Sequence, residues 1–156
     1  MLIVIEGPNG VGKTTVARLL AERLRHRANQ SVHLTTEPTR TRLGELLREA
    51  EAIIHGRALA LAIAADRTMH VEDEIIPTLD AGNIVISDRY VQSSLVLQRV
   101  DAVDLREIWS YNRYVLQPAI SIYLRLSSAG CGLRSPTTGG VPAGHIQLFR
   151  HAWREC

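Results

Sequence analysis

Four apolar residues in succession, Leu2-Ile3-Val4-Ile5, lead into Glu6 near the start of the chain. A run this short, apolar on both faces, predicts a strand over 2–6 buried as central parallel strands are. From Thr14 to about Ala28 the period changes. Val16, Leu19, Leu20 and Leu24 recur at helical spacing and predict an amphipathic helix. A second short strand is expected at Ser31–Thr35, ending at Glu37-Pro38 because the proline disfavours helical backbone before it. Leu43, Leu46, Leu47 and Ile53 mark a helix from Thr41 to about Ile54, closed near His55-Gly56. Arg57–Asp80 carries a longer helical pattern, alanine-rich at first, that Pro77 is expected to end or kink. After the turn signal Ala81-Gly82-Asn83, a third strand covers Ile84–Ser87 and runs into Asp88-Arg89-Tyr90. Helical patterns over Val91–Arg99 and Asp104–Leu116 precede a fourth strand at Ile120–Leu124.

Strands separated by helices predict a parallel sheet with right-handed crossovers, an α/β layer fold. Ligands in such sheets bind beyond the carboxyl ends of the strands. Gly7–Thr14, Glu37-Pro38 and Asp88-Arg89 all fall there. From Ser127 the chain turns loop-like through 127–132 and 136–142, and a helix is expected from Gly144 to Arg154 on the stripe Ile146, Leu148, Phe149 and Trp153. No internal repeat or linker interrupts the 156 residues, which suit one domain over 1–156.

Composition narrows the classes. Hydrophobic residues at 46% and charged residues at 22% are those of a soluble protein. A formal charge of +2 gives no broad electrostatic footprint for nucleic acid. Cys131 and Cys156 lack metal-ligand spacing, which fits a reduced, cytoplasmic setting. The apolar start is too short for a secretion signal and has no basic leader, and no run approaches the ~20 apolar residues of a membrane span. Neither a membrane nor a nucleic acid is expected as a partner.

The chemistry begins at Gly7-Pro8-Asn9-Gly10-Val11-Gly12-Lys13-Thr14, which fits G-x-x-x-x-G-K-[ST] between a predicted strand and a predicted helix. Gly7, Gly10 and Gly12 let the backbone turn its N–H groups inward, and the following helix directs its positive end at the same anion. Lys13 would reach the β- and γ-phosphates of a nucleoside triphosphate, and the Thr14 hydroxyl would take one Mg²⁺ position. Gly7, Pro8, Asn9, Gly10, Val11, Gly12, Lys13, Thr14 and Thr15 are the expected ATP-binding set. The alternative is a glycine turn that only links strand to helix; the full motif in context argues for the phosphate cradle. Lys13 is the only lysine among the 18 Lys and Arg residues, and the fork of an arginine would not fit a closed phosphate nest. Asp88, at the tip of a central strand, is a second Mg²⁺ candidate, and Arg89 beside it can grip another phosphate. The plainer reading, a helix-capping aspartate with a solvated arginine, loses weight beside a phosphate cradle on the neighbouring strand. Asp66-Arg67 interrupts the alanine-rich helix with Ile63 on the same face. That arrangement fits either an apolar shelf and phosphate grip for an acceptor, or an amphipathic helix turning its polar side outward.

The ordered blocks Gly7–Thr14, Glu37-Pro38 with Leu43-Gly44-Glu45, Ala64-Ala65-Asp66-Arg67 with His70, Ile76-Pro77, Ile84–Tyr90, and Ser93-Ser94 to Gln98 are specific as a set. Through them, from Met1 to about Ser127, the chain resembles the thymidylate kinases, nucleoside monophosphate kinases of the P-loop superfamily. The resemblance implies a P-loop NTPase fold, a three-layer α/β/α arrangement with a parallel sheet of four to five strands. It implies ATP as donor with Mg²⁺, dTMP as acceptor, and a homodimer. Lys13 and Arg89 would be catalytic. Arg67 would bind the acceptor's phosphate, with Arg89, Glu37 and Pro38 lining the same pocket, while Ser94 and Gln98 border the nucleoside and Gln98 faces the base edge. Three positions depart from the family's habit. Asn9 stands where an acidic residue is usual, Ile63 where an aromatic stacks on thymine, and Leu97 where a tyrosine senses the missing 2′-hydroxyl. The lid-equivalent region, about 127–144, is short, and Arg134 is its candidate catalytic cation. The helix 145–154 matches the one after the family's lid, and the usual last strand is missing, so that the sheet is expected to end at strand four. The implied function is transfer of the ATP γ-phosphoryl group to a deoxynucleoside monophosphate, dTMP to dTDP. Against it stand a related kinase for another small acceptor, motivated by Ile63 and Leu97, and a nucleotide-binding protein with weak or no catalysis, motivated by the altered lid.

Overall fold

In the computed structural model, which describes residues 1–28, 31–126 and 144–149, the buried run at the start forms β1 (Leu2–Glu6) in the middle of a five-stranded sheet. The order across the sheet is β2 (Val32–Thr36), β3 (Ile84–Asp88), β1, β4 (Ile120–Leu126) and β5 (Gly144–Phe149). β1 pairs in parallel with both β3 and β4, and β2 in parallel with β3. The connections leave β1 in opposite directions, so its carboxyl end is the switch point where such sheets bind ligands.

Alternation along β1 divides the core. Ile3 and Ile5 face one layer with Ile84, Ile86 and Leu124, covered by α1 (Lys13–Ala28). Leu2 and Val4 face the other with Val85, Val71, Ile75 and Val91. That second layer is built from α3 (Gly56–His70), a π-helical turn (Val71–Ile75), α4 (Ile76–Asp80), α5 (Val91–Val100) and α6 (Leu105–Tyr111). α2 (Arg42–Ala50) packs Leu47 against Leu59 and Ile63 of α3, a satellite cluster away from the sheet. The expected α/β/α layering and four parallel strands are present.

Several expectations are corrected. Leu19 is 41% exposed, and α1 meets the sheet through the fully buried Ala17 and Ala21, whose small side chains bring the helix backbone close. On α2, Leu46 is exposed and Gly44, Leu47 and Ala50 are buried; Ile53 lies past the helix end and is exposed. Of the two outcomes expected at Pro77, an end or a kink, the end is not seen. The π-helical turn before it widens the backbone, relieving the clash that the ring would otherwise make with the carbonyl four residues earlier, and helix resumes to Asp80. α6 stops at Tyr111 rather than Leu116. The helix expected from Gly144 is instead β5, antiparallel to β4 with Ile122 opposite Leu148. Ile146 and Leu148 alternate with His145 and Gln147, a period of two, and the open edge of β4 offers the hydrogen bonds that six residues of helix could not replace. The sheet therefore has a fifth strand. Residues 150–154 of the expected helix lie outside the described residues.

Candidate active site

The loop after β1 turns at Gly7, whose φ of +142° suits glycine, and where a Cβ would stand 2.5 Å from the Leu124 carbonyl oxygen. The loop closes around its own lysine. Lys13 Nζ donates to the Gly7 carbonyl at 2.9 Å and to the Pro8 carbonyl at 2.8 Å. Burial, reinforced by the nearby Arg89, holds this ammonium below its ordinary range. Asn9, Gly10, Gly12, Lys13, Thr14 and Thr15 line a cavity of about 310 Å³ with Asp88 and Arg89. Of the other expected ATP-binding residues, Val11 packs its side chain into the core, and Gly7 and Pro8 contribute carbonyls to Lys13.

Asp88 ends β3 beside this loop because β1 and β3 run in register, with Ile5 opposite Asp88. Its Oδ2 accepts from Thr14 Oγ1 at 2.5 Å, while its Oδ1 is buried without a protein partner. A buried carboxylate oxygen left open next to a hydroxyl is a hard-oxygen donor set. It fits Mg²⁺, which takes one or two protein oxygens and completes its shell with water and phosphate. Arg89 follows in a left-handed conformation, φ +74°, with its N–H bonded to the Ile5 carbonyl at 2.9 Å. Its guanidinium donates to Ser93 Oγ at 3.2 Å and to Asn9 Oδ1. Both acceptors are neutral, so these bonds leave the charge of Arg89 uncompensated.

Glu6 fixes this turn from below. Its carboxylate accepts from the Tyr90 N–H at 2.8 Å, the Ser93 N–H at 3.3 Å and Ser93 Oγ at 2.7 Å, capping α5. Burial outweighs these bonds and raises its pKa from 4.5 to about 7. A carboxyl group with a raised folded-state pKa binds its proton more tightly in the folded chain. Its contribution is therefore fully present below about pH 4.5 and is lost as the pH climbs through about 7. Glu6→Gln is expected to be more stable relative to wild type at pH 8 than at pH 4.5, by up to about 3 kcal/mol. Thermal melts across that range check this; a difference independent of pH would contradict it.

The second cavity, about 350 Å³, lies between β2, α3 and α5 and shares Asn9, Thr14, Asp88 and Arg89 with the first. All the residues expected at the acceptor line it: Glu37, Pro38, Ile63, Arg67, Arg89, Ser94 and Gln98, with Leu97 beside them. Glu37 follows β2, its N–H bonded to the Asp88 carbonyl at 3.1 Å, and the Glu37-Pro38 peptide is cis. Arg67 turns inward, which removes the reading of an amphipathic helix with its polar side outward. Its Nε donates to Glu37 Oε2 at 2.6 Å, Nη1 to Asn112 Oδ1 at 2.5 Å, and Nη2 to Ser94 Oγ at 2.9 Å and the Tyr90 carbonyl at 3.4 Å. Asp66 holds the wall instead, accepting from the Thr39 N–H at 2.8 Å and Thr39 Oγ1 at 2.6 Å. α2 fits against this wall through Gly44, where a Cβ would stand 2.0 Å from the Thr39 carbonyl oxygen. Gln98 is buried with Oε1 unpartnered at the cavity wall, among the aliphatic Ile63 and Leu97.

Arg48 and Asn112 escape the sequence reading. Arg48 lines the cavity and donates to the Thr39 carbonyl at 2.7 Å and to the Pro38 carbonyl. In the pattern it is one more exposed helical arginine. Asn112 ends α6 and points back to Arg67, a contact with no local signature. Arg134 and the lid-equivalent region 127–143 lie outside the described residues.

Comparison with known proteins places this geometry. The thymidylate kinase family profile matches residues 5–139. The chain is 44% identical over 137 residues to the probable thymidylate kinase of Thermococcus kodakarensis, an alignment covering 81% of this chain and 66% of the relative. It is 37% identical over 163 residues to the thymidylate kinase of Synechococcus sp. (strain JA-3-3Ab), covering 99% of this chain and 78% of that protein. The crystal structure of thymidylate kinase from Ehrlichia chaffeensis superposes with a TM-score of 0.69 at 33% identity, over 78% of this chain and 72% of that one. The chain spans just under two thirds of the length of the Thermococcus relative, 66%.

Proposed function

The chain belongs to the thymidylate kinase family, and we propose that it transfers the γ-phosphoryl group of ATP to dTMP, giving ADP and dTDP. The observation that carries this reading is the meeting of two cavities at Asn9, Thr14, Asp88 and Arg89. One is framed by a phosphate loop and the other by arginines beside an aliphatic shelf. ATP occupies the first, its phosphates held by the loop amides, the α1 N-terminus and Lys13, whose hydrogen bonds pass from the Gly7 and Pro8 carbonyls to phosphate oxygens. Thr14 and Asp88 would hold Mg²⁺, which would supply positive charge against the triphosphate.

dTMP occupies the second cavity with its phosphate toward Arg67 and Arg89. Ser94 and Gln98 border the nucleoside, the open Gln98 Oε1 meets the base edge, and Ile63 packs on the ring. The acceptor's phosphate monoester is largely a dianion at neutral pH and needs no general base. Its oxygen attacks the γ-phosphorus, the bond to the β–γ bridging oxygen breaks, and ADP leaves with that electron pair. Alignment and charge neutralisation carry the step. Arg89 at the junction faces both nucleotides, and Arg134 from the lid-equivalent region about 127–144 supplies a further cation.

We read 1–156 as one P-loop kinase domain working in the cytoplasm, without nucleic-acid or membrane partners. No described helix is long and apolar enough to cross a membrane. A homodimer is part of the proposal. Leu61, Ala65 and Met69 share one outer face of α3, with Leu61 50% and Met69 45% exposed, an apolar stripe suited to a second copy. Sedimentation showing a monomer at micromolar concentration would remove it.

The test of the function is ADP formation from Mg-ATP with each nucleoside monophosphate added in turn. dTMP is expected to give the highest turnover. Preference for another acceptor would shift the substrate and make Ile63 and Leu97 the reason. ATP binding without turnover on any acceptor would overturn the kinase reading.

A further inference from the structure

Arg89 brings its charge to the place where the two cavities meet, and the fold holds its backbone on both sides. Its N–H donates to the Ile5 carbonyl at 2.9 Å, and its own carbonyl accepts from Ser87 Oγ at 2.7 Å. That fixes where the long side chain starts, not where it ends. The guanidinium is held by Asn9 Oδ1 on Nη2 and by Ser93 Oγ on Nη1, the latter at 3.2 Å. Asn9 is exposed on the phosphate loop, whereas Ser93 sits on α5 and is itself held. The Ser93 N–H donates to Glu6 Oε1 at 3.3 Å, and its hydroxyl donates to Glu6 Oε2 at 2.7 Å. Glu6 is buried at the end of the central strand, where Oε1 also takes the Tyr90 N–H at 2.8 Å. One hydroxyl thus stands between a carboxylate and a guanidinium, and the sense of both bonds follows. A guanidinium only donates and a carboxylate only accepts, so the Ser93 hydrogen points to Glu6 and an Oγ lone pair meets Arg89. The negative charge behind the hydroxyl makes its oxygen a better acceptor for the cation in front.

We propose that Glu6 and Ser93 are positioning residues for the acceptor's phosphate, Glu6 orienting the Ser93 hydroxyl and Ser93 holding the Arg89 guanidinium toward the second cavity. This role rests on the reading of that cavity as the dTMP site and of Arg89 as a grip on the dTMP phosphate. Glu6→Gln reverses the relay without emptying it. The amide oxygen stays with the Tyr90 and Ser93 N–H groups, so α5 keeps its cap and the NH₂ group falls where Oε2 was. That group donates to Ser93 Oγ. The hydroxyl hydrogen then turns away from position 6, and the lone pair that met Arg89 is no longer directed at it.

Wild type, Glu6→Gln, Ser93→Ala and the double variant form a cycle that isolates the coupling of the two residues. Measurements at about pH 8.5 keep Glu6 ionised, since burial places its pKa at about 7. The readouts are kcat, KM for dTMP and for ATP, and equilibrium affinities for dTMP and for thymidine, which has no phosphate. Ser93→Ala is expected to weaken dTMP binding about ten-fold, the scale of one hydrogen bond to a charged group, and Glu6→Gln about three- to five-fold. Adding Glu6→Gln to Ser93→Ala should change dTMP affinity by less than about two-fold, because the hydroxyl it acts through is gone. Thymidine affinity should stay within about two-fold in every variant, and Ser93→Thr, which keeps a hydroxyl, should bind dTMP within about three-fold of wild type. The Glu6 charge also supports the Lys13 ammonium through space. That effect survives Ser93→Ala and shows in the KM for ATP, so it is read apart. Additive losses of dTMP affinity, no loss in Glu6→Gln, or equal losses for dTMP and thymidine would overturn the inference. A wild-type chain that forms no ADP with dTMP, or an Arg89→Met chain that binds dTMP as wild type does, would instead overturn the reading it rests on, and the inference with it.

Discussion

Lys13→Ala is expected to lower dTMP-dependent turnover by at least about 10³-fold, the scale of removing a cation or preorganised donor from a phosphoryl-transfer site. The geometry makes the residue irreplaceable from within the described part of the loop. It is the only lysine of the chain, and its ammonium sits inside a loop whose Gly7 and Pro8 carbonyls hold it at 2.9 and 2.8 Å. Arg89, the neighbouring cation, has its guanidinium on Ser93 and Asn9. Lys13→Arg is expected to fail as well, because the planar fork is wider than the space that the turning backbone leaves. In Lys13→Ala the loss should not come from unfolding. Burial and Arg89 disfavour the Lys13 ammonium in the folded chain, so removing it relieves that penalty. A melting temperature no lower than wild type, with turnover gone in a coupled ADP assay, is the expected pair of results. Near-normal turnover in Lys13→Ala would sink the mechanism.

What the chain's pattern discloses is unequal, and the reasons are physical. β1, β3 and the phosphate loop are legible because contiguous apolar runs and a glycine-spaced lysine are local signals, and the sheet turns their ends into one place. β5 is not, because whether Gly144–Phe149 extends depends on the free edge of β4, some twenty residues away. The fate of Pro77 depends on a π-helical turn that no periodicity announces. Leu19 looks like core and is exposed because the helix rests on Ala17 and Ala21, and small residues carry little weight in a hydrophobic pattern. At the site, every acceptor residue named from the family's motifs lines the second cavity. The direction of Arg67 stays open in the local pattern, since its partners Glu37, Ser94 and Asn112 come from three separate segments. Arg48 and Asn112 are invisible for the same reason.

Arg67→Met is expected to damage two properties that a second substitution can separate. The guanidinium is fully buried, paired with the buried Glu37 and bonded to Asn112 and Ser94. Removing it leaves a carboxylate in the interior with His70 as its other described side-chain partner. Breaking one side of such a pair costs about 3–5 kcal/mol, and the chain should melt well below wild type. dTMP-dependent kcat/KM should fall by about 10²–10³-fold, with the KM for ATP little changed. In the double variant Arg67→Met/Glu37→Gln the stranded charge is gone, while the amide carbonyl introduced in place of the carboxylate can still accept from His70 Nδ1. Replacing both partners of a buried pair is often close to neutral, so most of the lost stability should return. The lost dTMP turnover should not, because an amide and a thioether offer the acceptor's phosphate no positive charge. Recovery of both properties would show that Arg67 serves the fold alone, leaving the phosphate to Arg89 and Arg48.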